Sequence, residues 1–409
     1  MNDLQEQLAK LRRRIARIDK KYARKPPAAQ PRRSYPERWL NGSEIETDYG
    51  RHYELDKLYE RHRRHGSIGI CDLEDLPVGL LTPISNGEIG GVPPDRWCFL
   101  DTETAGPMGS VDTYAFLIGV GRITSDGFRV RQFFLRDKTE EASALAAIST
   151  YLGQFEVMIT YNGRTFDQPL LEARFQSVGL TQPFSQVAHL DLLFGARRLW
   201  NLRFESCRLV DLENQILGVE REGDLPGELI PYVYCEYLRT SEVEHLIPIF
   251  HHNQTDILTL ACFTAIVPLA FHEPGMVQFS HGAEMVGLGR WWRQAGKDEQ
   301  ALALFRRAVD CGLDDDLLFR TLWDIAALEK KLRRPDAALL IWEDLAGCRN
   351  PWRAGALEEL AKHYERRERD YTKALELTRT ALRLSDSEAL RKRAVRLEKR
   401  LTGATQLEH

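Results

Sequence analysis

The stretch "CFLDTETAG", Cys98–Gly106, sets two carboxylates one residue apart at the end of an apolar run. Side chains at i and i+2 of an extended strand share a face, so Asp101 and Glu103 point the same way. Carboxylates that close repel and raise one another's pKa. A buried strand that ends on such a pair needs a positive partner for it, and the rest of the sequence says what kind.

At 409 residues the chain is long enough for two or three domains with sizeable cores. With 43% apolar residues, 28% charged and a net charge of −4, it has an ordinary globular composition, and the total charge argues neither for nor against a polyanionic partner. Seven scattered cysteines, Cys71, Cys98, Cys207, Cys235, Cys262, Cys311 and Cys348, are odd in number and never form C-x-x-C. That pattern fits reduced thiols and a cytoplasmic location better than disulfides or a zinc site. The N-terminal residues lack the apolar core of a signal peptide. The longest apolar stretch, Ile257–Phe271, is too short to span a bilayer and reads as a buried helix.

Outward from Asp101 the chain divides into four parts. Residues 1–34 carry a heptad stripe, Leu4, Leu8, Leu11, Ile15, Ile18 and Tyr22, on an otherwise basic helix, followed by the Pro-rich "KPPAAQPRR". A solvated helix packing on its own protein, a short coiled coil and a basic arm on nucleic-acid phosphate all fit this arm. Residues 35–94 are mixed in pattern and lead into the next part. Residues 95–275 read as strands at Trp97–Asp101, Thr113–Ile123 and Gly127–Leu135, a helix at Lys138–Gly153, a strand at Val157–Tyr161, and helices from about Thr165. This order predicts an α/β class, a mixed sheet flanked by helices. Residues 284–402 read as all helical. Ala301, Phe305 and Ala308 recur as Ala338, Trp342 and Leu345, and again as Ala374, Thr378 and Ala381, a period near that of tetratricopeptide helical hairpins. This part is expected to bind or pack, possible protein partners included, and to supply no catalytic group.

Three more stretches bear on the opening pair. "ITYNGRTFDQPLL" places Asp167 after a strand and turn, with Thr165 and Gln168 at the spacing of a capping box. "HHNQTDILTL" places His252 and Asp256 at i and i+4 on one helix face, with His251 rotated from it. "HLDLLF" adds Asp191. Taken singly, each has an ordinary reading as a turn, a cap or a surface pair. They occur together, in order, bracketed by apolar runs within one α/β segment.

That set resembles the DEDD 3′→5′ exonuclease superfamily of the ribonuclease H-like fold. "FLDTET" resembles its first motif, "YNGRTFDQPLL" its second and "HHNQTDILTL" its third. The stretch from Leu199 to Leu238 and the repeat tail are similar to the bacterial YprB-like branch of predicted exonucleases. The resemblance implies two Mg²⁺ or Mn²⁺ ions on Asp101, Glu103, Asp167 and Asp256, hard oxygen donors that would relieve the repulsion of the opening pair. It implies hydrolysis of phosphodiester bonds at the 3′ end of a single-stranded nucleic acid, DNA or RNA. His252 or His251 would take the proton from the attacking water, and the two subtypes of the superfamily leave that choice open. Thr102, Thr104, Asn162 and Arg164 fall in the motifs that would meet the substrate. Arg197, Arg198 and Arg203, interleaved with Trp200 and Phe204, suit a single strand, or equally a solvated basic helix face over buried aromatics. The alternative is a catalytically inactive nuclease fold that serves, with its repeats, as an adaptor.

Overall fold

The computed structural model describes residues 40–106, 112–273, 279 and 281–405. The heptad-patterned basic arm of residues 1–34 lies outside them. The chain divides into two compact units, residues 1–197 with 206–277, and residues 198–205 with 278–409.

The first unit is built on a seven-stranded sheet. Its strands are β1 (Gly42–Thr47), β2 (Gly50–Glu60), β5 (Trp97–Ala105), β6 (Tyr114–Thr124), β7 (Gly127–Phe134), β8 (Val157–Thr160) and β9 (Ala188–Asp191), in the order β1-β2-β7-β6-β5-β8-β9. A two-residue ribbon, β3 (Arg64–His65) with β4 (Ile68–Gly69), stands apart. The pairs from β1 to β5 are antiparallel, and β5-β8 and β8-β9 are parallel. Parallel neighbours need a crossover, and α2 (Asp167–Ser177) follows β8 before β9; α1 (Glu141–Leu152) sits between β7 and β8. The mixed sheet and its flanking helices are the α/β class read from the sequence. Two details differ. The β1-β2 hairpin extends the sheet at one edge, where the polar alternation of "GRHYELDKLYE" hid a strand. And β5 runs on to Ala105, so Asp101 and Glu103 lie inside the strand, not at its end.

Alternation along β5 sorts its side chains onto two faces. Cys98 and Leu100 join the core formed with Leu145 and Ile148 of α1 and Leu171 and Phe175 of α2. Phe99, Asp101 and Glu103 turn to the other face, which is covered by α5 (Ile247–His272), preceded by α4 (Ile230–Thr240). Two glycines let α5 come close. Gly119 pairs with Asp101 across β6, and a Cβ there would stand 2.2 Å from Asn253 Oδ1 and 2.3 Å from Ile257 Cδ1. A Cβ on Gly121 would stand 2.5 Å from Ile257 Cγ2. Pro248 falls in the first turn of α5, where no helical hydrogen bond is lost. The helix therefore runs unbroken through His251, His252 and Asp256. It is apolar enough to raise a membrane reading, yet most of it is buried in the unit.

The second unit pairs α6 (Gly282–Gln294) with α7 (Asp298–Cys311), α8 (Asp315–Lys331) with α9 (Pro335–Gly347), and α10 (Arg353–His363) with α11 (Tyr371–Leu384), and ends in α12 (Glu388–Thr405). The three recurring trios fall on the second helix of each hairpin, and all nine side chains are buried. Each turn within a hairpin is closed by one left-handed residue: Gly296 (φ 75°), Arg333 (φ 61°) and Arg369 (φ 57°). All seven cysteines are free thiols.

Candidate active site

Three elements deliver the four acids. Asp101 and Glu103 come from β5, Asp256 from the face of α5 that meets β5, and Asp167 from the first residue of α2. Asn253, one turn before Asp256, donates its amide to Asp101 Oδ2 at 2.8 Å and to the Asp101 carbonyl at 3.3 Å. Gln132 of β7 in turn donates to Asn253 Oδ1 at 2.8 Å, which fixes the amide's orientation. Asp167 reaches β5 from the opposite face, where it accepts the Thr102 hydroxyl at 2.5 Å.

The capping box expected from Thr165 and Gln168 does not form. Phe166 holds the N-cap position with no side-chain cap. The Gln168 N–H goes to the Gly163 carbonyl, and its side chain bonds Glu172 and His189. What shapes this turn is Asp191. Its buried carboxylate accepts the backbone N–H of Asn162 at 2.8 Å, Arg164 at 3.1 Å and Leu193 at 3.1 Å. Asp191 thus positions the turn that presents Asp167. Asn162 takes a left-handed conformation there, φ 68°.

The electrostatics are those of an acid cluster short of positive charge. Burial, then Asp256 and Asp167, hold the Asp101 carboxyl well above the usual carboxylate range. Burial, then Asp101, Asp256 and Asp167, do the same to Glu103. Burial lifts Asp167 to about 6 against the hydrogen bond from Thr102. Burial also raises Asp256, opposed by His252 and Arg221. Ionised together, these groups need a cation.

The cation present is one the sequence did not reveal. Arg221 Nη2 stands 2.5 Å from Asp256 Oδ1, and the same guanidinium reaches Glu213 at 2.5 Å and Asp224 at 3.3 Å. Asp256 Oδ1 is buried, and this guanidinium is its charge partner. Glu213 is held further by Thr259 at 2.7 Å and His65 at 3.1 Å. Asp224 takes His252 Nδ1 at 2.9 Å, leaving His252 Nε2 on the Asp256 side, 3.5 Å from Oδ2. Burial opposes the charged ring, but Asp224 and Asp256 outweigh it and raise the His252 pKa. His251 instead faces outward, with Nδ1 3.3 Å from Thr255 Oγ1. No motif signalled Arg221, Asp224 or Glu213, because their partners lie 28 or more residues away in the chain for His252 and 46 for Thr259.

Among the described residues, no three His, Cys, Asp or Glu side chains converge closely enough to hold a metal ion as they stand. The donor set nevertheless suits a hard divalent cation. It offers a buried Asp256 carboxylate, a Glu103 carboxylate that no donor reaches among the described residues, and repulsion between ionised acids that positive charge relieves. The expected substrate contacts fare unevenly. Thr102 is committed to Asp167, Thr104 lies at the bulge after Glu103, and Arg164 donates to the His189 carbonyl. Of the two readings of the basic and aromatic stretch, packing accounts for part of it. Trp200 is buried and donates to Glu284 at 3.1 Å, and Arg203 pairs with Glu284 at 2.7 Å, so both serve packing within the second unit. Arg198 is partly buried there, and Arg197 remains exposed in the first unit.

Residues 98–266 match the family model described as the RNase_H superfamily. The match supports a ribonuclease H-like fold for this segment. The chain is also similar to the uncharacterized protein YprB of Bacillus subtilis (strain 168), 29% identical over 338 residues, which span 79% of this chain and 78% of that relative. Among solved structures it is similar to the family B DNA polymerase from the hyperthermophilic archaeon Pyrobaculum calidifontis, at 15% identity and a TM-score of 0.33. That match covers 51% of this chain and 30% of the polymerase, so the chain spans under a third of the polymerase's length. Over most of its length the chain is thus similar to YprB, with a ribonuclease H-like fold in residues 98–266 and helical hairpins after it.

Proposed function

We propose that the protein is a metal-dependent 3′→5′ exonuclease that hydrolyses phosphodiester bonds of a single nucleic-acid strand. The observation that carries this is that Asp256 and Asp167 stand near enough to the β5 pair, in a ribonuclease H-like fold, to help burial hold the Asp101 and Glu103 carboxyls above their usual range. Asp101, Glu103, Asp167 and Asp256 would hold two Mg²⁺ or Mn²⁺ ions, which when bound clamp the phosphodiester and stabilise charge on the attacking and leaving oxygens. The remaining work falls to the chain's own side chains. His252, oriented through Nδ1 by Asp224, presents Nε2 beside Asp256 and accepts the proton of the attacking water. Asn253 keeps Asp101 in register by holding both its carbonyl and its carboxylate. Asp191 holds the turn that aims Asp167.

A catalytically silent adaptor is the competing reading, and Arg221 is the observation on its side, since its guanidinium already stands against Asp256. One experiment separates the two. End-labelled single-stranded DNA and RNA are incubated with the protein in Mg²⁺, in Mn²⁺ and in chelator. Stepwise loss of 3′ nucleotides that stops in chelator, and stops with a blocked 3′ end, supports the exonuclease. Intact substrates in every metal, with no metal-induced stabilisation of the protein, support the adaptor.

A further inference from the structure

The helical hairpins carry a site of their own. A cavity of about 330 Å³ opens among α8, α9 and α10, lined by Lys330, Arg333, Lys362, Arg366 and Arg367, with Trp342 also in its wall. The two lysines are shared with acids: both reach Glu359, at 2.5 and 2.7 Å, and Lys362 reaches Glu358 as well. No ion pair links Arg333, Arg366 or Arg367 to an acid among the described residues, and all three are exposed. Trp342 is buried, yet its indole N–H has no hydrogen-bond partner. Trp342 lines the cavity, and its indole nitrogen is itself enclosed.

Arg333 has a further feature. It holds the left-handed position that Gly296 holds in the first hairpin. An L side chain is disfavoured there and glycine is not. The conformation does not call for an arginine, here or at Arg369 in the third hairpin, and at Arg333 the side chain adds a guanidinium to the cavity wall.

We propose that this cavity binds the phosphodiester backbone of a single nucleic-acid strand, with the three arginines on phosphates. The identity of the ligand rests on the nuclease reading above; the cationic site does not. Planar guanidiniums fork onto phosphate oxygens. An acidic peptide would also meet the charge, but a docked peptide draws affinity from apolar anchors. Here the apolar lining is only Pro335, Leu339 and the buried Trp342.

The test uses the full-length protein and a triple variant, Arg333→Gly, Arg366→Ala and Arg367→Ala. Glycine suits the turn at 333, and the other two arginines have no partner to lose, so folding is expected to be intact. Binding of fluorescein-labelled oligothymidylate and oligouridylate is followed in chelator by anisotropy, across a salt series. Three lost phosphate contacts should flatten the slope of log K against log salt by about 2, with affinity falling at least tenfold at low salt. An unchanged slope in the variant overturns the proposal. Equal binding of polyglutamate of matched length, lost equally in the variant, also overturns it and assigns the cavity to acidic peptides. Hydrolysis of a dinucleotide in Mn²⁺ is measured in parallel. It is expected to be the same in both proteins, and its absence in both would sink the nuclease reading while the binding data stand.

Discussion

Replacing Asp167 by asparagine should stabilise the metal-free protein, and by an amount the structure sets. Burial holds the Asp167 carboxyl at about 6, against an ordinary 3.8, despite the hydrogen bond from Thr102. A pKa raised on folding contributes stability that is complete below the unfolded value and is lost as pH climbs through the folded one. Asp167 therefore favours the fold below about pH 4 and has lost that advantage above about pH 6. The shift of about two units corresponds to ~3 kcal/mol at neutral pH. Asparagine keeps an oxygen for the Thr102 hydroxyl and has no charge to desolvate. In chelator near pH 8, Asp167→Asn should melt roughly 6–12 °C above the parent, taking 2–4 °C per kcal/mol for a domain of this size. Near pH 4 the two should melt together or the variant slightly lower. Saturating Mn²⁺ should raise the parent and close the gap, because bound cation removes the penalty that asparagine removes covalently. Differential scanning fluorimetry across pH, with and without Mn²⁺, reads all of this. A variant that melts at or below the parent near pH 8, with the parent's pH dependence intact, would refute the account of a carboxylate held charged against its surroundings.

His252→Ala should lower exonuclease activity on the order of a hundredfold, Asp224→Asn should follow it in part, and His251→Ala should change little; the His252 loss should shrink in alkaline buffer, and equal small losses at both histidines would count against an assigned base. Arg221→Met should leave Asp256, Glu213 and Asp224 without their cation and destabilise the metal-free protein by roughly 3–5 kcal/mol, seen as a lower urea midpoint; Mn²⁺ should recover part of that, and recovery of none would mean that no cation replaces Arg221 at Asp256. Gly119→Val should push α5 off β6, costing about 1–3 kcal/mol and weakening Mn²⁺ binding in calorimetry more than it lowers the melting temperature; unchanged Mn²⁺ affinity would show that the close approach does not serve the acids.

What could be read in the sequence was whatever lies close along the chain. The D-x-E pair on β5, the strand meander, the His252–Asp256 helix face and the triplet of hairpin trios are local patterns, and period alone exposes them. What could not be read depends on contacts between distant segments. The expectation of a cap at Thr165 followed a valid local rule, but the Gly163 carbonyl and Asp191, from β9, had already taken the donors of that turn. Trp200 and Arg203 looked like a strand-binding stripe until Glu284, some eighty residues on, claimed both. Arg221 shows the limit most sharply. It sits in "GVEREGDLPGE", a polar loop with no periodicity, and its role exists only because Glu213, Asp224 and Asp256 surround it. The opening pair told that a positive charge was required. It did not tell that the fold supplies a guanidinium of its own at Asp256, so that a divalent ion held there as proposed would have to displace or share it, and Arg221 would weigh on metal affinity together with the four acids.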